Sequence, residues 1–451
     1  MPDPLDQDLL SKENPAELGF HDLRQAHGEV LRGRWIRILV SRRLSPRLAR
    51  LSVIAILILN SGLIILNLAA WGIAFTRDLF WRADFTSFYT GWAIVRDGRG
   101  AGLFDFDLQA LYQQEILAGR SFQDGLLPFV NPPGLLLLFT PLANLPISTA
   151  FIVWTLVELA LLAWLIALLW RISAAWELFE RCSLILAVLA FPPMLITFLL
   201  GSFSLLMLVC ILQMVFAIQR GSQLGTAFWF FIGAIKPQIM LVPGVMLASS
   251  RRLMALAWIC VLGIGMVIVS SLLFGWQIWP VYFKRIGEIS GFFGKFGFYP
   301  DSMVNFRGML TSLLGSDNGL LVNQISIVAL LIVSAAVFWI WRGPFQPNQP
   351  DFVLRMAFTL TLALLFNFHL NPQDGILYIV PAILFYDYLR QRGLPRRRFS
   401  AFALLCPYFF LFSEFFLGDR LVIRGQVAAA LALLLWIGRA YLVNRRSRLA
   451  G

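Results

Sequence analysis

Charge is scarce in this chain of 451 residues: only 14% are Asp, Glu, Lys or Arg. A soluble domain carries about 25%, so water is not the main solvent for this sequence. Histidine is scarcer still, with three residues, and cysteine supplies four. The cysteines (Cys182, Cys210, Cys260 and Cys406) stand singly inside apolar runs. That scatter offers neither metal-ligand spacing nor a disulfide framework, and it reads as small core-filling side chains. The first 50 residues lack an apolar stretch and are polar and basic. They read as a cytoplasmic extension rather than a secretory signal peptide.

What the chain has instead is hydrocarbon. Hydrophobic residues make up 59% of it, and the mean hydropathy is +0.74. A spanning helix needs about 20 mostly apolar residues, and such runs recur along the sequence. The fold class this implies is an all-α polytopic membrane protein. The net charge of +12 could suggest nucleic acid, but its distribution argues against that partner. Basic residues crowd the ends of apolar runs: residues 32–50, Arg251 and Arg252, 390–398 and 439–448. This is the pattern of the positive-inside rule, not of a surface that tracks phosphates.

Those flanks set a topology of about ten full spans plus two broken hairpins. Seven arginines in residues 32–50 place the N-terminus in the cytoplasm, ahead of a first span at 51–74. A first outer loop follows at 75–127, with a short amphipathic helix expected at 108–118. Residues 128–146 are apolar but interrupted by Pro132, Pro133 and Pro141, and read as re-entrant or interfacial. Spans at 182–199 and 203–219 are joined by the tight turn Gly201-Ser-Phe-Ser204. Residues 225–248 have arginines on both flanks and Lys236-Pro237 in the middle, which fits a hairpin broken at Lys236. A second outer loop occupies 275–318. Further spans lead to a cytoplasmic tail at 442–451, so that 51–441 forms one membrane domain in the inner or plasma membrane.

This arrangement gathers the polar clusters on the non-cytoplasmic face. Asp84 sits among Phe80, Trp81, Phe85, Phe88 and Tyr89. It is either a carboxylate paired with Arg82 or capping a helix from Thr86, or a general base desolvated by the aromatics. His369 is the one histidine outside the N-terminal segment, where His21 and His27 look solvated. Its spacing to Asp374 in His369-Leu-Asn-Pro-Gln-Asp374, turned by Pro372, can bring imidazole and carboxylate to one pocket. Lys284, Arg285, Lys295 and Arg307 in the second outer loop are either solvated cations of an aromatic belt or a phosphate-recognising set. Lys236, inside an apolar run, wants an anion.

Taken in order, Asp84-Phe85 with Phe88-Tyr89, Phe129-Val-Asn-Pro-Pro133, the Pro141 and Pro146 pair, Lys236-Pro237 and His369…Asp374 resemble glycosyltransferase family 87. The resemblance covers residues 84–381. It implies a GT-C-type membrane fold and an inverting transfer of a hexose, typically mannose, from a polyprenyl-phosphate donor. The acceptor would be a glycan or glycolipid, and membrane lipids the surrounding partners. Asp84 would be the catalytic base, with His369 near the departing phosphate. Lys236 and Arg307, with Asn305, Gln373, Asp374 and Tyr89, would bind substrate or donor phosphate. Neither a cofactor nor a metal follows from the motifs; the donor is a substrate. Two departures stand out: Gly201-Ser-Phe-Ser204 where relatives show Gly-Gln-x-Asn, and Ser302-Met-Val-Asn305-Phe-Arg307 in place of an Asn-Gln-Ser element. A transporter or lipid flippase is the rival reading, although no internal repeat is visible. A scaffold protein is the third.

Overall fold

The structure is a computed structural model that describes residues 46–77, 84–122, 124–134, 137–342, 345–347, 349–412 and 425–449. By its internal contacts the chain divides into residues 1–58 and 59–451. Of the first unit only the start of one helix, from Pro46, is described. The basic stretch up to residue 45, His21, His27, Phe80, Trp81 and Arg82 lie outside the described residues.

In chain order the helices are α1 (Pro46–Thr76), α2 (Asp84–Arg96), α3 (Phe106–Ile116), α4 (Ile147–Ile172), α5 (Leu178–Ala190) and α6 (Pro192–Leu200). They continue with α7 (Ser204–Gln219), α8 (Gln223–Gly233), α9 (Pro237–Ser249), α10 (Leu253–Phe274), α11 (Ile278–Ser290) and α12 (Phe306–Leu314). The last are α13 (Gly319–Trp341), α14 (Pro350–Leu365), α15 (Ile379–Gln391), α16 (Arg397–Phe412) and α17 (Gly425–Leu449). Short 3-10 turns connect them, notably Leu137–Asn144 and Pro372–Tyr378. No strand occurs among the described residues, so the chain is an all-α membrane protein.

Five described helices are long and apolar enough to cross a membrane: Ile54–Thr76, Ile147–Ala175, Leu253–Phe274, Ser316–Trp341 and Gly425–Asn444. Their outward side chains are hydrocarbon: Leu272 is 81% exposed and Leu320 75%, a state that lipid tolerates and water does not. A sixth crossing arises if α5 and α6 count as one. The sequence reading had a single span there, but the pair bends by 47°. Proline explains the bend, because Pro192 and Pro193 open α6 and hold Phe191 extended, at ψ 119°, as a residue before proline prefers. The expected count of about ten spans requires the shorter helices as well. At 16 residues α7 and α14 are about 24 Å long, short of the roughly 30 Å of a bilayer's hydrocarbon core.

Two short elements are held inside this frame. Helix α2 buries every residue from Phe85 to Ile94, packed against the Leu137–Asn144 turn and α4. Its Phe85 ring meets Phe151 and Trp92 edge-on, at centroid distances of 5.2 and 5.6 Å. Helix α14 is buried almost throughout and packs on α15 and α17. The N-terminus of α2 and the Pro372–Tyr378 turn both carry polar side chains into the space between these elements.

Candidate functional site

Four local choices of sequence build the site. Asp84 is the first residue of α2, so its carboxylate stands where the helix dipole favours a negative charge. Lys236 precedes Pro237, which opens α9. It is therefore extended, at φ −119° and ψ 81°, and the break expected at Lys236 falls there. The segment Asn371-Pro-Gln-Asp374 forms a capping box: Asn371 caps the 3-10 turn, Pro372 opens it, and the Asp374 side chain accepts from the Asn371 N–H at 3.2 Å. This is the arrangement that asparagine, proline and a carboxylate three positions on favour. Finally, α14 ends at Leu365 and leaves Asn367 to accept from the backbone N–H of His369 at 2.7 Å.

The neighbours Gln373 and Asp374 hold the two charged groups of the site. Gln373 Nε2 donates to Asp84 Oδ2 at 2.7 Å. Asp374 Oδ1 accepts from Lys236 Nζ at 2.6 Å and from Ser204 Oγ at 2.6 Å. Ser202 Oγ lies 2.9 Å from Ser204 Oγ. The Asp374 side chain is fully enclosed, whereas Lys236 keeps 12% exposure.

Beside these groups lies a cavity of about 300 Å³. Asp84, Ser87, Asn131, Lys236, Arg307, His369 and Asn371 line it, with Phe88, Tyr282, Phe298 and Phe368 as aromatic wall. The Phe298 ring lies 5.7 Å from the His369 ring. It is presented by a tight turn, closed by the Gly294 N–H on the Phe298 carbonyl at 2.9 Å.

Electrostatics follow from enclosure. Burial raises the Asp84 carboxyl above its ordinary value; Lys236 and the Gln373 hydrogen bond pull it back, and Asp374 adds to the rise. Burial pushes the His369 imidazole down to about 4, helped by Lys236 and Arg307 and opposed by Asp374. At neutral pH His369 is thus uncharged. Burial also lowers the Arg307 guanidinium to about 10, which leaves it cationic.

The structure thus brings Asp84, Lys236, Arg307 and His369 to one cavity, and sets Gln373 and Asp374 behind two of them. It does not bring the others to the wall. Tyr89 is buried a turn further along α2 and donates to the Leu145 carbonyl at 2.6 Å. Asn305 caps α12, accepting from the Gly308 N–H at 2.9 Å and donating to the Asn367 carbonyl at 2.8 Å. Arg307 is largely engaged by protein: Nε donates to Asn323 at 3.0 Å and Nη2 to the Ser290 carbonyl at 3.1 Å. Its plane lies 4.2 Å from the Phe368 ring centre. His369 lines the cavity and Asp374 stands behind it, near enough for its charge to act on the imidazole, while Lys236 and Ser204 take its carboxylate oxygen. Asp84 takes Gln373 as its partner, and its helix begins at Asp84 itself rather than at Thr86; Arg82 lies outside the described residues.

Ser204, Asn131 and Phe298 are site residues that the sequence did not single out individually. Two serines in an otherwise apolar turn were the available signal for Ser204. Among the described residues no three His, Cys, Asp or Glu side chains gather as a metal-ligand set.

Glycosyltransferase family 87 matches residues 129–367 of the chain, more than half its length. The chain belongs to this family. It is therefore a membrane glycosyltransferase, which sets the transporter and scaffold readings aside. Comparison with curated proteins and with solved structures gave no match. The family match contains Lys236 and Arg307 but not Asp84, His369, Gln373 or Asp374. The match says nothing of those four.

Proposed function

We propose that the chain is an inverting hexosyltransferase that takes a hexose, mannose first among candidates, from a polyprenyl-phosphate donor. The acceptor is a hydroxyl of a glycan or glycolipid, and transfer takes place at the non-cytoplasmic face of the inner or plasma membrane. Both termini are then cytoplasmic. One observation carries the reading: the Asp84 carboxylate faces a cavity that a lysine and a neutral histidine also line. At about 300 Å³ the cavity has the lower size of small-molecule sites, enough for a sugar phosphate while its lipid stays in the bilayer.

The chemistry assigned to these groups is an in-line displacement. Asp84 accepts the proton of the acceptor hydroxyl as its oxygen attacks the anomeric carbon. The bond from that carbon to the phosphate oxygen breaks, and polyprenyl phosphate leaves with the electron pair. Attack opposite the leaving group inverts the anomeric centre. Burial raises the basicity of Asp84, which suits a general base. Lys236 has three N–H donors; with one on Asp374, two remain for the leaving phosphate. His369, neutral, can donate a hydrogen bond to the same group.

Membranes containing the chain, supplied with radiolabelled polyprenyl-phosphate hexoses, provide the test. Wild type is expected to transfer label from at least one donor, and Asp84→Asn to lose that transfer. Undiminished transfer by Asp84→Asn, or transfer only from nucleotide sugars, would overturn the assignment.

A further inference from the structure

A second cavity, of about 110 Å³, lies between α5, α15, α16 and α17. It shares no lining residue with the cavity at Asp84. Its wall is almost entirely hydrocarbon, from side chains such as Val188, Ile379, Phe402 and Leu433. Two polar side chains interrupt that wall, Tyr378 and Gln426. They are only 9% and 5% exposed. Among the described residues, neither the Tyr378 hydroxyl nor the oxygen or nitrogen of the Gln426 amide has a hydrogen-bond partner.

That combination is unstable if the space stays empty. Each buried polar group left unpaired costs about 1–3 kcal/mol, and native proteins keep few of them. A water could pair with these atoms, but it would leave most of the hydrocarbon wall without a contact partner. Among the described residues the lining holds no charged side chain, so this wall offers a charged head group no counter-ion. A suitable occupant is apolar over most of its length and carries one neutral group that both donates and accepts. A hydroxyl meets this requirement: it donates to Gln426 Oε1 and accepts from Gln426 Nε2 or the Tyr378 hydroxyl. An ester only accepts, and would leave Gln426 Oε1 unpaired.

We infer that this cavity is a binding site for a neutral, hydroxyl-bearing lipid drawn from the bilayer, with its alkyl chain along the apolar wall and its hydroxyl at Gln426 and Tyr378. The site stands independently of the glycosyl-transfer reading. Its position is nevertheless close to the first cavity, because Gln426 packs so tightly on Gly375 that a β-carbon there would collide with the amide oxygen. Gly375 directly follows Asp374 in the 3-10 turn.

The test uses the full chain in phosphatidylcholine nanodiscs with a diacylglycerol that carries a photoactivatable group in its acyl chain. Label is expected in peptides of α16 and α17 around Phe402 and Leu433, and excess unlabelled diacylglycerol is expected to remove it. Ala382→Phe, which fills the cavity, should lower labelling several-fold, with Ala430→Phe as a second filling variant should the first fail to fold. Added diacylglycerol should raise the unfolding temperature of wild type but not of Gln426→Leu. Equal labelling by a photoactivatable phosphatidylcholine, labelling unchanged in both filling variants, or no thermal shift in wild type would each overturn the inference.

Discussion

The ammonium of Lys236 lies 2.6 Å from Oδ1 of Asp374, a carboxylate with no exposed surface. The two residues come from different parts of the chain, and their pairing ties the break before α9 to the turn that follows α14. Removing one partner from a buried ion pair strands the other's charge, at a cost of about 3–5 kcal/mol. Asp374→Asn is therefore expected to lose about that much stability in thermal unfolding. The double variant Lys236→Met with Asp374→Leu should recover most of the loss, since an apolar pair leaves no stranded charge. Transfer activity should not return with it, because Lys236 also faces the cavity. If activity recovers together with stability, the lysine is purely structural.

Gln373 acts on Asp84 through one hydrogen bond of 2.7 Å. Burial raises the Asp84 carboxyl from its ordinary 3.8, and this bond lowers it. The pH dependence of kcat/KM is expected to rise with pH as Asp84 deprotonates, with a midpoint above 3.8. Gln373→Leu should shift that rising limb to higher pH while Asp84 keeps its function. Asp84→Asn should instead lose about 10²- to 10⁴-fold on the plateau above that midpoint, the usual worth of a general base. An unmoved midpoint in Gln373→Leu would show that the amide does not tune the base.

The legible parts of this architecture are those written over a few residues. Pro237 announces the break at Lys236, and Asn371-Pro-Gln-Asp374 spells its own cap. The apolar runs announce their helices, but not how many cross a bilayer, because proline at 192 and 193 bends one expected span. The partner of Asp84 was not legible, since Gln373 lies 289 positions away. Spacing alone suggested that His369 would share a pocket with Asp374. The capping box fixes the Asp374 backbone, and Lys236 and Ser204 take its oxygen. Ser204 looked only like a departure from a family motif, yet its hydroxyl completes that carboxylate's hydrogen bonding. Arg307 looked free for phosphate, but Ser290, Asn323 and Phe368 hold it, and three separate segments supply them.

His369 titrates well below its free value, near 4 instead of 6.5, chiefly because it is buried. A depressed histidine contributes stability that is fully present above pH 6.5 and is lost as the pH falls through about 4, because acid must charge a group the fold holds neutral. Wild type is expected to lose unfolding temperature across that window more steeply than His369→Gln, which has nothing to protonate there. Identical slopes would show that the imidazole is not held neutral by its surroundings.

Gly201 ends α6 in the left-handed region, at φ +57° and ψ +43°. A β-carbon there would lie 3.0 Å from the side chains of Phe151 and Phe85 and 3.2 Å from Trp154. Gly221 has a similar φ of +72°, with nothing within 4 Å of its β-carbon position. Alanine at either position pays the left-handed penalty of about 1–2 kcal/mol. Only at 201 does it also press on Phe85, the residue next to Asp84. Gly221→Ala is therefore expected to lose stability by that backbone amount and keep full transfer activity. Gly201→Ala should lose more stability and also lower kcat, since the aromatic cluster that seats the start of α2 must give way. Equal stability losses, with activity untouched in both, would mean that Phe85 yields without moving Asp84.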